Sequence, residues 1–154
     1  MLKKFLLLIL LIVNTSCGYE ATNSKKKLLS SNFSINQLIF YGDREINRKL
    51  KQQLSRYMQT KNIKIFDLEI ESDATKTIVS KDSKGNAKNF NLNVDILIKI
   101  KRTNHQDIKL LLNESFKYNN NEDKFELQRY EQGLKNNLSE IIVRRIVSKL
   151  SNIQ

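Results

Sequence analysis

Hydrophobic residues recur along this chain with two different periods, and the switches between the periods mark out its elements. Phe33, Ile35 and the block Leu38 to Phe40 form a short segment of β-formers closed by Gly42-Asp43, which predicts a strand. Asp43 is a suitable N-cap, and Ile46, Leu50, Leu54, Tyr57 and Met58 follow it at helical spacing with Arg44, Arg48, Lys49 and Lys51 between them. A helix is expected from about residue 43 to 60. Ile63 and Ile65 then alternate, and Leu68 and Ile70 alternate on the other parity, which points to a bulge or twist near Phe66 or to a fully covered centre. Polar residues dominate from Glu71 to Thr77 before Ile78 and Val79.

Asp82-Ser83-Lys84-Gly85-Asn86 reads as a turn. Beyond it Phe90, Leu92, Val94, Ile96, Ile98 and Ile100 alternate without a miss, so one face of this strand is buried while Asn91, Asn93, Asp95 and Lys99 stay wet. Thr103 to Gln106 turns the chain into a further strand, in which Ile108, Leu110, Leu112, Phe116 and Tyr118 share one parity. After Asn119-Asn120-Asn121, a helix from roughly Glu122 to Asn152 carries Leu127, Tyr130, Leu134, Leu138, Ile141, Ile142, Val143, Ile146 and Leu150 at helical period, with Gly133 inside it. The order β-α-β-β-β-α predicts an α+β two-layer sandwich: a mostly antiparallel four-stranded sheet with two amphipathic helices on one face.

Ahead of this domain, Lys3 and Lys4 precede an apolar run from Phe5 to Val13 that ends at Asn14-Thr15-Ser16 and the single cysteine, Cys17. A membrane-spanning helix needs about 20 apolar residues, so this shorter run reads as a cleaved secretory signal ending in a lipobox, although Asn14 stands where an aliphatic residue is usual. An ordinary signal peptide with a leftover thiol, or a short membrane-touching helix, is the plainer alternative. A lone cysteine in an exported chain has no internal disulfide partner, and thioether attachment of diacylglycerol to Cys17, with N-acylation (palmitate) after cleavage, accounts for its position. The expected organisation is a signal peptide at 1–16, a polar acylated tether at 17–31 containing Lys25-Lys26-Lys27, and one domain at 32–154. Gly18 after the cysteine, in place of an aspartate, points to the outer membrane.

The net charge is +11, and removal of Lys3 and Lys4 with the signal leaves +9. In an exported protein this favours anionic envelope partners such as lipopolysaccharide and argues against nucleic acid. The bias toward Lys, Asn and Ile, with no Pro or Trp, also matches an AT-rich genome without any selection for charge.

Catalytic chemistry has few candidates. His105 is the only histidine and falls in a predicted turn, so neither a metal set nor a Ser-His-acid constellation is expected, and no Gly-x-Ser-x-Gly pattern or glycine-rich phosphate loop occurs. Glu69 and Glu71 share a strand face and are read as a solvated edge, not as an acid and base. The expectation is a protein that is not an enzyme and that carries no cofactor beyond the covalent lipid on Cys17.

The order of elements and the Cys17-Gly18-Tyr19 start resemble the lipopolysaccharide-assembly lipoprotein family, LptE, over essentially the whole chain. The resemblance implies an acylated protein on the periplasmic face of the outer membrane. Such a protein would plug and help assemble the LptD β-barrel, through which lipopolysaccharide reaches the cell surface. Another envelope lipoprotein, an auxiliary subunit of a lipid transporter or an activator of a cell-wall synthase, is the alternative. No family motif assigns contact residues. Cations at the hairpin ends are the candidates for lipopolysaccharide, because loops on a rigid sheet often carry binding: Lys81, Lys84 and Lys88 at one turn, Lys101, Arg102 and His105 at the other. The guanidinium fork of Arg102 suits a phosphate.

Overall fold

A computed structural model describes residues 31–59, 62, 64–103 and 105–153. The expected signal segment, Cys17 and the tether as far as residue 30 lie outside the described residues. Within them the order is β1 (Phe33–Gly42), α1 (Arg44–Leu54) extended by a 3-10 turn at Ser55–Met58, β2 (Lys64–Lys81), β3 (Ala87–Lys101), β4 (Ile108–Asn119) and α2 (Lys124–Asn152). The strands form one sheet in the order β1-β2-β3-β4. β2 with β3 and β3 with β4 are antiparallel hairpins, whereas β1 runs parallel to β2 because α1 carries the chain back along the sheet. This is the expected α+β order, with a mixed sheet.

Aspartates start both helices. The Asp43 carboxylate accepts from the N–H groups of Glu45 (2.9 Å) and Ile46 (3.0 Å), and Asp123 does the same for Phe125 and Glu126, satisfying donors that have no partner within a helix. α1 buries Ile46, Leu50 and Leu54, a stripe at four-residue spacing. Met58 departs from the expected stripe and is exposed, because the tighter 3-10 turn brings Tyr57, three residues after Leu54, onto the core in place of Met58, four after it. α2 buries Leu134, Leu138, Ile142, Val143, Ile146 and Leu150. Both helices share a single core cluster with Phe66, Leu68 and Ile70 of β2 and with Leu92 to Ile100 of β3. Lys49 to Glu140 (2.8 Å) and Lys135 to Asp43 (3.0 Å) and Glu45 (3.2 Å) tie the helices to each other.

The parity change expected near Phe66 does not occur: the strand is regular there, and Ile65 simply faces outward. β2 keeps one parity, with Phe66, Leu68 and Ile70 buried and Ile65 exposed. An irregularity lies in β1, where Ile35 pairs with Phe66 and Gln37 with Asp67, leaving Asn36 as the extra residue. Phe33 and Ile35 therefore face the core before the bulge, and Leu38 and Phe40 after it. The β1–α1 junction is also closed by backbone geometry. Gly42 has φ +91°, and Asp43 donates its N–H to the Ser72 carbonyl at 3.0 Å.

Candidate functional site

The cations at the two hairpin ends cannot form one site, because β3 joins the two turns and its length holds them about 45 Å apart. At the β3–β4 end, Lys101 is held in a 2.5 Å ion pair with Glu69, and Lys99 lies 3.9 Å from the same carboxylate. The hydrogen bond from Lys101, followed by the charges of Lys101 and Lys99, keeps Glu69 below the ordinary carboxylate range, and the same pairing raises Lys101. Glu69 is thus committed to a cross-strand pair with Lys101. Arg102 is half-buried with its carbonyl accepting from the His105 N–H at 3.4 Å, and the His105 side chain is exposed.

The β2–β3 end is built differently. Asp82 organises the turn: its Oδ1 accepts from the N–H groups of Asn86 (2.8 Å) and Lys84 (2.9 Å), and its carbonyl accepts from Gly85, which sits at φ +86°. Those bonds, Asn86 first, hold its carboxyl below the usual range. The ammonium groups of Lys81, Lys84 and Lys88 project from this ordered tip, exposed and without ion pairs among the described residues.

The same end carries exposed apolar surface, part of which, Phe116 and Tyr130, the sequence pattern had placed in the core. α1 begins beside Ser72, so the helix-side face of the sheet beyond Ala74 has only the first turns of α2 over it. Ile78 is 53% exposed, Val79 47%, Phe116 46%, Phe125 67% and Tyr130 49%. Phe116 and Tyr130 are therefore corrections to the expected core. Next to them Lys76 reaches Glu131 at 2.5 Å and lies 3.9 Å above the Phe90 ring, while the Tyr118 hydroxyl donates to Glu131 at 2.7 Å. Burial and that hydrogen bond push the Tyr118 phenol well above its ordinary value, so it stays protonated. Between β4 and α2 runs a groove of about 570 Å³ floored by Phe116, Tyr118, Leu127 and Tyr130, with Asn119 to Asn121 at its end. A second hollow, about 360 Å³, continues it along Arg129, Gly133, Leu134 and Asn137, sharing Glu126 and Tyr130.

Sequence reasoning found the cations of this end and missed its apolar part. Phe116 has the same parity as the buried Leu112. The one legible hint is strand length: with Ile78 and Val79 included, β2 outruns the helix that precedes it.

No cluster of metal-ligating side chains occurs among the described residues. The outer face of the sheet mixes exposed apolar side chains, Tyr41, Ile65 and Leu111, with a bonded amide and carboxylate cluster. Asn113 donates to Asn93 (2.7 Å) and to Asp95 (2.6 Å), and Asn89 donates to Asn119 (2.6 Å).

The chain matches no family model and no curated protein. Among solved structures it is similar to rare lipoprotein B from Shewanella oneidensis, at 14% identity and TM-score 0.56 over 76% of this chain and 98% of that one. It is also similar to a minor lipoprotein from Acinetobacter baumannii, at 14% identity and TM-score 0.51 over 74% of this chain and 92% of the other. A structure from Caulobacter crescentus aligns at 13% identity and TM-score 0.53 over 83% and 96% of the two chains. What these likenesses establish is a shared fold, common to this domain and to solved proteins of the bacterial lipoprotein kind.

Proposed function

We propose that this protein is an acylated envelope lipoprotein of the LptE kind, which makes and breaks no bonds and acts by occupying and steadying a lipopolysaccharide-exporting β-barrel like LptD. The observation that carries the reading is the conjunction of a signal-like segment ending at Cys17 with a domain whose fold recurs in rare lipoprotein B and a minor lipoprotein.

Three physical features support it. The described chain enters the domain beside the end of α2, where Asn32 donates to the Ser151 carbonyl at 3.0 Å and Lys64 to that of Ile153 at 2.8 Å. The tether therefore attaches at the end of the sheet opposite the Lys81, Lys84 and Lys88 tip. An anchor at Cys17 would keep the Ser31 end near its leaflet and hold the cationic tip away from it. The part of the outer sheet face around Asn89, Asn93 and Asn113, rich in bonded amides, suits the polar lumen of a barrel. The tip itself pairs exposed cations with exposed Ile78 and Val79, a combination suited to the phosphates and acyl chains of an anionic amphiphile.

The test has two arms. Radiolabelled palmitate should enter the wild-type protein and not Cys17→Ala, which should leave the outer-membrane fraction; a native molecule that begins at Met1 with a free thiol sinks the anchored reading. Depletion of the protein should lower the amount of membrane-inserted LptD-like barrel. Unchanged barrel levels with normal lipidation would assign it instead to a lipid transporter or a cell-wall synthase.

A further inference from the structure

β4 is an edge of the sheet, and the direction of its unpaired backbone groups can be read from one bond. Asn120 donates its N–H to the Lys88 carbonyl at 2.8 Å, and the β3–β4 register pairs Asn89 with Asn119, Phe90 with Tyr118 and Leu92 with Phe116. Because bonded and non-bonded pairs alternate in an antiparallel ladder, Tyr118, Phe116 and Glu114 face β3 with both backbone groups. Ser115, Lys117 and Asn119 direct theirs outward. Arg145 confirms that direction where it donates to the carbonyl of Asn113 at 3.5 Å, while its other contact is Glu114 at 2.7 Å. This arginine caps one end of the edge, and among the described residues the stretch from Ser115 to Asn119 stays open. That open stretch is also the wall of the β4–α2 groove.

We propose that the outward edge of β4 from Ser115 to Asn119 binds an extended segment of a partner protein by strand addition, with alternating apolar and acidic side chains. This site stands on geometry alone and does not depend on the lipid anchor. Residues directly opposite one another in a sheet share a face, so alternate side chains of an added strand would enter the groove over Phe116, Tyr118 and Tyr130. The intervening ones would lie beside Lys117 on the open face, where an acid is favoured. Lys124, at the start of α2, adds a second cation at the same end. Glu126 is already paired with Arg129 at 3.2 Å. A second copy of this chain is the poorer occupant, because a two-fold centred on the open stretch would set Lys117 against its own copy, like charges directly opposite.

The probe is a short fluorescein-labelled peptide of alternating leucine and aspartate, titrated by anisotropy against the full-length protein, with amide exchange read in parallel. Binding is expected with slowed exchange at Ser115, Lys117 and Asn119. Ser115→Pro deletes one outward N–H without touching the β3 ladder and should weaken binding about tenfold, whereas Ser115→Thr should not. A melt of each variant shows whether the fold is kept. The peptide, expected to add antiparallel to β4, offers a control that needs no variant: N-methylation at the aspartates, whose backbone would then face β4, should abolish binding, and N-methylation at the leucines should leave it. Several results would overturn the proposal: no saturation by about 1 mM, equal binding of the two N-methylated peptides, or equal binding when lysine replaces aspartate. So would protection of the same amides by lipopolysaccharide and not by peptide, or a dimer of the free protein that Ser115→Pro dissociates.

Discussion

Alanine at the three described glycines should change stability in three different ways, and the structure gives the size of each. At Gly42 an added Cβ would lie 1.9 Å from the Ser72 carbonyl oxygen and 2.9 Å from its carbon, a backbone obstacle that can be relieved only by moving β1 away from β2. That movement would break the Asp43 to Ser72 bond, worth about 1 kcal/mol. It would also loosen the Ser72 hydroxyl, which is 2.8 Å from the Asn47 amide oxygen. The left-handed backbone adds about 1–2 kcal/mol for any residue with a Cβ. Together these give a loss of about 3–5 kcal/mol, a large part of a typical total of about 5–15.

Gly85 shares the left-handed conformation, but nothing lies within 4 Å of its added Cβ, so only the backbone cost of about 1–2 kcal/mol applies. Gly133, inside α2 with open space around it, should gain about 1 kcal/mol from alanine. Urea melts followed by helical circular dichroism should therefore rank Gly133→Ala above wild type, then Gly85→Ala, then Gly42→Ala. A Gly42→Ala loss equal to that of Gly85→Ala would refute the parallel register of Gly42 on Ser72.

The sheet faces supply a second prediction: Val94→Asp or Ile96→Asp, at fully buried positions, should cost several kcal/mol and abolish a cooperative melt, while Ile65→Asp stays within about 0.5 kcal/mol. Phe116→Ala should cost less than about 1.5 kcal/mol because the ring is 46% exposed, against about 2–5 for the buried Ile142→Ala, measured by the same denaturant melts. Lys135→Met should cost about 1–2 kcal/mol at pH 7 by stranding Asp43 and Glu45. Burial alone would raise Asp43, but the hydrogen bonds from Ile46, Lys135 and Glu45 outweigh it and hold the carboxyl below 3.8. Its stabilisation is therefore present at neutral pH and lost on acidification, so the gap between wild type and Lys135→Met should close as pH falls through that depressed value. Burial would lower Lys135, yet its bonds to the same two acids raise it, so its own contribution fades only in strong alkali.

The outline of this domain was written in local pattern. Strict alternation from Phe90 to Ile100 determined a strand and its buried face, since side chains in a strand alternate whatever the neighbours are. Asp43 and Asp123, each before an apolar stripe at helical period, determined where the helices begin, and Asp82 to Asn86 could hardly be anything but a turn. The chemistry at Cys17 was likewise legible as a candidate from its place after an apolar run. What tertiary structure decided was anything that depends on how far one element reaches over another. Phe116 and Leu112 share a parity and differ in burial because the first helix begins only beside Ser72 and the second covers only part of the sheet beyond it. The bulge at Asn36 exists only as a mismatch between two strands, and neither strand's sequence announced it; the irregularity expected near Phe66 was instead an exposed Ile65 on a regular strand. The cations at the two turns looked equivalent along the chain, and the length of β3 separated them. Local periodicity fixes which way a side chain points; only the finished packing fixes what, if anything, it meets there.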